Sequence, residues 1–302
     1  MYLSKFACLS SLLLAATVTA NESTAFTNFE FKAIGTTIRI TYPVRDLKLE
    51  SQIRSFFEEL EAQASLYRSD SRLSLINNSK AGERVEVSSV LCNLLTEGIR
   101  LTEKTDGRFD ITYKNHSVKT IGVDCANDRK KYFIWRKQSG TLIDLNAIAA
   151  GFAADRVGEF LKSSGINDFL IDAGGEILAC GQKAGKPWTV AIEDPQSTDK
   201  FLKKIQFKDR HCHAVSTSGD YRRYIVKDGK RVSFITNPKS GKSVTNARLV
   251  TVIAKTATEA DALSTAISVA VNDHQYIEKL KKRFGLKIYT VTGDKFVFKE
   301  FE

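Results

Sequence analysis

Apolar and polar positions alternate in strand fashion over Phe29–Tyr42, around a central Gly35. From Leu47 to Ser65 the period lengthens to that of a helix, with Ile53, Phe56, Phe57, Leu60 and Ala64 on one stripe. Leu91–Lys104 predicts a second helix, ended by Thr105-Asp-Gly107. Residues 111–142 are irregular and rich in Lys, Asn and Asp, with a strand expected only over Lys131–Arg136. A strong helix follows over Ile148–Ser164 and stops at Gly165, a residue suited to a left-handed C-terminal cap. Strands are expected over 168–172, 176–180, 187–193, 213–216, 222–226, 231–236 and 248–254. A helix then begins near Thr258, another covers Tyr276–Phe284, and a strand pair spans Lys287–Phe298. Strands and helices in mixed order, many of them hairpin-like, predict an α+β fold and not a doubly wound one.

The chain has 302 residues and a formal charge of +10. Met1–Ala20 reads as a secretory signal: Lys5, then an apolar core over Leu9–Ala16, then the small-residue site Val18-Thr-Ala20. The apolar run is shorter than the roughly 20 residues a spanning helix needs. Cys8 lacks the setting of a lipid-attachment cysteine. The expected product is an exported, periplasmic, soluble protein of residues 21–302, cleaved after Ala20 and without a transmembrane helix. Of 45 basic residues only Lys5 is lost, leaving 44 against 35 acidic ones and a charge near +9. Such charge favours phosphorylated ligands, acidic partners or an anionic surface. It forms no dense basic block with interleaved aromatics, so nucleic acid is not an expected partner. About 280 residues with four prolines and no flexible linker form one large domain or two closely joined lobes. Cys92, Cys125, Cys180 and Cys212 remain after cleavage. No Cys-x-x-Cys pair supports a zinc or redox site, buried free thiols are the plainer expectation, and Cys180 with Cys212 is the first disulfide to test.

Candidate chemistry centres on Glu259-Ala-Asp-Ala-Leu-Ser-Thr-Ala266. Asp261 and Thr265 stand four residues apart, so a helix stacks their oxygens on one face, among small and apolar neighbours. A hard cation such as Mg²⁺ suits that pair, since it takes oxygen ligands and shares its shell with phosphates; the plainer role for Asp261 is in helix capping. Upstream lie Asp144-Leu-Asn-Ala-Ile-Ala-Ala-Gly-Phe-Ala-Ala-Asp155 and Asp172-Ala-Gly-Gly-Glu176. Ala147, Ala149, Ala150 and Gly151 are small enough for a bulky ligand to approach, and the helix start beyond them favours phosphate. Gly174-Gly175 does the same or makes a tight turn. Val215-Ser-Thr-Ser-Gly-Asp-Tyr-Arg-Arg-Tyr224 is a hydroxyl-rich turn, and Gly229–Gly241 is a strand running into a Pro/Gly turn.

In this order and spacing the segments resemble the ApbE family of FAD:protein FMN transferases. Ala33-Ile-Gly-Thr36, Leu66-Tyr-Arg-Ser-Asp-Ser-Arg-Leu-Ser74 and Gly107-Arg-Phe-Asp110 are similar to that family's N-terminal motifs, so the resemblance covers roughly residues 29–300. It implies a mixed, largely antiparallel sheet with packed helices, of the ApbE and T-fold kind. It also implies FAD as substrate, Mg²⁺ at its diphosphate, and transfer of FMN to a Thr or Ser of a partner flavoprotein. By motif position, Asp261 and Thr265 supply metal ligands with the backbone carbonyl of Ala149. Ile34, Tyr67, Arg108, Phe109, Asp110, Asn146, Phe152 and Thr236 fall where the family contacts FAD. Tyr67 and Phe109 offer aromatic surface to a flavin or adenine ring.

The chain departs from the family at Ser233-Phe-Ile-Thr-Asn-Pro238, where the family has Ser-His-Ile-Ile-Asp-Pro. Phe234 replaces the His expected to help deprotonate the acceptor hydroxyl, and Asn237 replaces the Asp. Ala150 stands for a Lys, and the stretch from Asp110 to Asp144 lacks a common insertion. Asp220 and His213, with His211 beside it, are the nearby candidates for a substitute base; His116 and His274 have no supporting context. Three functions follow: FMN transfer with an altered base, FAD diphosphate hydrolysis to FMN and AMP, or a degraded FAD-binding module. No acceptor motif of the chain's own points to self-modification.

Overall fold

The computed structural model describes residues 25–113, 117–125, 131–220, 224–227 and 230–301. Met1–Ala20, His116 and Tyr221–Arg223 lie outside the described residues, and with them the signal-peptide expectation. The chain opens with a hairpin, β1 (Phe26–Ala33) and β2 (Thr36–Pro43), followed by α1 (Leu47–Ala64) and α2 (Arg72–Asn78). Next come β3 (Val85–Val87), α3 (Ser89–Lys104), β4 (Thr112–Tyr113), β5 (Ile121–Asp124), β6 (Tyr132–Arg136) and β7 (Leu142–Ile143). The middle of the chain forms α4 (Ala149–Ser163), β8 (Phe169–Ala173), β9 (Ile177–Cys180), β10 (Gln182–Lys183), β11 (Lys186–Asp194) and β12 (Ser197–Phe207). It continues through β13 (His213–Ser218), β14 (Tyr224–Lys227), β15 (Lys230–Ser233) and β16 (Ala247–Ala254). The last elements are α5 (Ala257–Val269), α6 (His274–Phe284), β17 (Lys287–Thr292) and β18 (Val297–Phe301).

An eight-stranded sheet in the order β1-β2-β8-β9-β13-β16-β17-β18 forms the frame, and every neighbouring pair is antiparallel. Side chains alternate across it. On β16, Val250, Val252 and Ala254 join the main core with the helices, while Leu249 and Ile253 face the other way. There they meet Trp188, Val190, Ile192 and Phe207 of the β11–β12 hairpin. Covered on both faces, β16 reads as a nearly unbroken apolar run. The α1 stripe packs as its period requires: Ile53, Phe57, Leu60 and Ala64 are buried, with Phe56 partly exposed at its edge.

Two disulfides, Cys92–Cys125 and Cys180–Cys212, bear out the second pairing and replace the expected free thiols. The first ties α3 to the end of β5, within the stretch 111–142 whose composition suggested irregularity. That stretch holds β4, β5, β6 and β7; β3, β6 and β5 form a small sheet of their own. The β6 strand matches its expected position, and the α+β class is the observed one.

Candidate functional site

The site is built on the seam between α4 and α5. Thr256 caps α5, accepting from the Glu259 N–H, and so fixes where the helix starts. Asp155 of α4 reaches the same helix end, accepting from the backbone N–H groups of Ala257 and Thr258 at 2.8 Å each and from the Thr258 hydroxyl at 2.5 Å. These are the orphan donors of a helix N-terminus, where a carboxylate is also favoured by the macrodipole. Burial pushes the Asp155 carboxyl above its usual range, and the Thr258 and Ala257 hydrogen bonds oppose that shift.

One turn earlier on α4, Gly151 explains how closely the helices approach. A Cβ there would lie 2.4 Å from the Ala257 carbonyl oxygen and 2.9 Å from Asp261 Cβ. Its N–H donates to Asp261 Oδ2 at 3.1 Å. Gly151 therefore makes room for a helix, where the sequence suggested room for a ligand. Ala149 and Ala150, immediately before it at the start of α4, do face a cavity.

Two cavities meet at this seam. The first, of about 330 Å³, runs between the β8–β9 turn, β11, β13 and residues 234–235, with Asp261 and Thr265 on its wall. The second, of about 600 Å³, lies between the β1–β2 turn, the end of α1 and the start of α4. Asn146, Glu176 and Asp261 line both. Asp261 is only 6% exposed, so its carboxylate is committed to this junction. Behind it, Ser264 Oγ donates to the Asp261 carbonyl at 2.9 Å and lies 2.7 Å from Ser218 Oγ of β13, which ties α5 to the sheet.

Of the residues singled out from sequence, Asp261, Thr265, Ala149, Asn146, Ile34 and Tyr67 come together around the two cavities. Ile34 adopts a left-handed turn conformation at φ 46°, and its N–H donates to Glu61 Oε1 at 2.6 Å, which locks the hairpin against α1. Tyr67, 90% exposed, stands at the rim with its ring available. Phe109 and Phe152 do not: both are buried in the main core and line neither cavity, so neither ring is presented to a ligand there. Asp110 accepts from the Thr112 N–H and hydroxyl at 2.7 Å each, and burial pushes its carboxyl up. Arg108 lies over the Tyr276 ring and pairs with Asp273 at 2.8 Å, beside a separate shallow cavity with Asn237 and Lys242 on its wall. Thr236 bridges Ser243 within the loop after β15.

The two substitute bases do not reach the site. His213 begins β13, its ring stacked on Phe207 and its Nε2 2.8 Å from Asp209 Oδ1. From Val215 onward the strand lines the first cavity, but His213 itself is not on the wall of either cavity. Asp220 is buried and ion-paired with Arg248 at 2.7 Å, which makes it a brace for the turn after β13. Phe234, 63% exposed, lies on the wall of the first cavity. Sequence reasoning passed over Glu176 and Asp155, although both close segments it quoted; Asp155 carried the better signal, a carboxylate following two alanines on a largely apolar helix.

Chemically, the junction offers a carboxylate, a hydroxyl and the start of α4. Among the described residues no three His, Cys, Asp or Glu side chains cluster as a self-sufficient metal cage. That donor set fits Mg²⁺, which binds through one or two carboxylates and completes its shell with water and substrate phosphate. Among the described residues the first cavity carries Asp172, Glu176, Glu193 and Asp261 and no Lys, Arg or His on its wall.

The ApbE family model matches residues 34–286 of the chain. The FAD:protein FMN transferase of Escherichia coli is 29% identical over 309 residues, covering 91% of this chain and 87% of its own length. That of Vibrio cholerae is 31% identical, with 78% of this chain and 79% of its own covered. The crystal structure of an ApbE protein from Thermotoga maritima superposes with a TM-score of 0.80 at 26% identity, covering 92% of this chain and 97% of that one.

Proposed function

The chain belongs to the ApbE family of flavin transferases, and from that premise we propose that it cleaves FAD with Mg²⁺ and attaches FMN to a Thr or Ser hydroxyl of a partner flavoprotein. The observation that carries the reading is the place of Asp261, buried where two cavities join. A dinucleotide is two bulky halves on a diphosphate, and a junction of this shape takes the diphosphate at Asp261 with one half on either side. Asp261, Thr265 and the Ala149 carbonyl would hold Mg²⁺. Bound there, the ion offsets charge on the diphosphate and on the leaving AMP. Asn146 and the Ile34–Gly35 turn bound the ligand, and Tyr67 offers a ring face at the rim. Of the FAD contacts the resemblance implies, Ile34, Tyr67 and Asn146 are the ones this geometry favours.

Hydrolysis of FAD to FMN and AMP is the second reading, and Phe234 favours it. With phenyl in place of imidazole, the acceptor hydroxyl loses its customary proton acceptor, while the open cavity admits water. We further propose that the chain is exported with Met1–Ala20 removed; two disulfides suit an oxidising compartment. No described helix is long and apolar enough to cross a membrane. Incubating the purified protein with FAD, Mg²⁺ and a target flavoprotein domain tests the assignment. AMP release with in-gel flavin fluorescence on the target is the expected result; AMP with free FMN alone selects hydrolysis, and FAD recovered intact overturns both.

A further inference from the structure

We propose that the Cys180–Cys212 disulfide is a redox switch on the first cavity: closed, it holds the cavity walls in working position, and opened by a dithiol it lets them slacken. The effect on the fold stands by itself, and the effect on turnover rests on the flavin-transferase reading.

The bond lies across a narrow join. β9 and β13 pair only over Ile177–Ala179 against His213–Val215, the shortest ladder in the eight-stranded sheet. That ladder joins β1-β2-β8-β9 to β13-β16-β17-β18. One step further along the same register Cys180 stands opposite Cys212, with Cα atoms 4.1 Å apart. The first cavity straddles the join: Asp172 and Ile177 come to it from one side, Val215 and Thr251 from the other.

The same bond closes the neck of an excursion. The chain leaves the sheet at Cys180, builds β10, β11 and β12, and returns at Cys212. Val190 and Ile192 of that excursion also line the first cavity. Other ties at the neck are weaker. Arg210 pairs with Asp168 at 2.6 Å, but at the surface, where water screens an ion pair. The Trp188 Nε1–H donates to the Cys180 carbonyl at 2.9 Å. Apolar packing of Trp188 and Phe207 on the sheet persists when the sulfurs part, so opening the bond loosens this region without unfolding it. Cys92–Cys125 differs: it ties α3 to the end of β5, and neither element has a residue on the wall of the first or second cavity.

Cys180 is 1% exposed and Cys212 partly exposed, so an entering thiolate meets the Cys212 sulfur. A new S–S bond forms there, and the Cys180 sulfur leaves with the electron pair and takes up a proton. The reductant's second thiol then closes its own disulfide and releases Cys212 as a thiol. One dithiol is oxidised as one cystine is reduced, and a disulfide donor runs the steps backward. A reducing compartment therefore keeps the chain in its slack form, and oxidation completes the site.

The test uses the full chain oxidised, reduced with dithiothreitol and re-oxidised, with the open cysteines identified by alkylation and mass spectrometry after each measurement. Hydrogen exchange and AMP release from FAD, with Mg²⁺ and a target flavoprotein domain, are followed in each state. Reduction is expected to quicken exchange over β10–β13 with the fold retained. AMP release should fall about tenfold or more, since a misplacement of about 1 Å can cost about 10²-fold. Re-oxidation should restore both. Cys180→Ser with Cys212→Ser should stay slack in every state, whereas Cys92→Ser with Cys125→Ser should match the native oxidised chain and still respond to reduction. A chain with Cys180 and Cys212 reduced that keeps native AMP release overturns the switch, whatever its exchange. So does a Cys180–Cys212 bond that dithiothreitol opens only by unfolding the chain. Oxidised protein that releases no AMP overturns the flavin-transferase reading instead, and exchange alone then decides whether the bond holds the cavity walls. Should the Cys180/Cys212 serine variant fail to fold, reversible reduction of the native chain decides the matter.

Discussion

The α4–α5 seam and the segment Ser233–Val244 face each other across the first cavity, and they are held in different ways. At the seam, partners come from distant parts of the chain: Asp155 to the start of α5, Gly151 to Asp261, Ser264 to β13. The segment opposite bonds largely to itself. The Asn237 N–H donates to the Lys242 carbonyl, the Gly241 N–H to the Asn237 carbonyl, and the Lys239 N–H to Asn237 Oδ1. Asn237 thus keeps the turn-forming acceptor that an Asp would supply, and gives up only the charge. A locally bonded turn can exchange His for Phe and Asp for Asn without disturbing the fold. A seam fixed by close helix contact cannot change a ligand so cheaply. On the proposed function, the side that would hold the substrate is fixed by distant partners, and the side that would meet the acceptor is bonded largely to itself.

The contrast breaks hardest at Asp261. Asp261→Ala should abolish Mg²⁺-dependent release of AMP from FAD while circular dichroism stays native, since it removes the one carboxylate of the donor set. Thr265→Val, which removes a neutral ligand, should leave measurable activity. Magnesium dependence unchanged in the Ala protein would place the metal elsewhere.

Across the cavity the effect should run the other way. Phe234→His with Asn237→Asp is expected to raise FMN transfer at neutral pH, by a fraction of the roughly 10²–10⁴-fold that general-base catalysis contributes. Phe234→His alone should gain less. A slower double variant would mean that the native cavity already works with a base of its own.

A stability measurement sharpens the comparison further. Gly151→Ala places a methyl against the α5 backbone, and overpacking of this kind costs about 1–3 kcal/mol. Chemical denaturation should show that loss, whereas Asn237→Asp should fall within about 0.5 kcal/mol of native, as surface changes do. Least of all is expected from His213→Gln, whose ring stacks on Phe207 at the far end of β13. A large loss of turnover there, with binding intact, would bring that imidazole back into the chemistry.

Much of this layout was legible in the sequence because the signals were periodic. The α1 stripe, the apolar run of β16 and the Asp261/Thr265 spacing each repeat at the step of a helix or strand. Where the period failed, so did the reading. Ser197–Phe207 carries Lys200, Lys203 and Lys204, and was not expected as a strand; it is β12, paired only with β11, where edge lysines are ordinary. The short α2 offered too few turns to show a stripe. Phe109 and Phe152 came from motif position, and position along the chain does not say which way a ring points; both point into the core. His213 and Asp220 are close in sequence to the cavity, but the His213 ring is taken up by Phe207 and Asp209, and Asp220 by Arg248.

The hydrogen bond from Gly151 to Asp261 spans 110 positions of the chain. During synthesis the N-terminal part emerges first, and any early folding there proceeds without the residues that follow. Until α5 has been made and docked, there is no carboxylate at the head of α4 and no junction between the cavities. On the proposed function, a growing chain therefore lacks its metal-binding carboxylate until most of its residues have been joined.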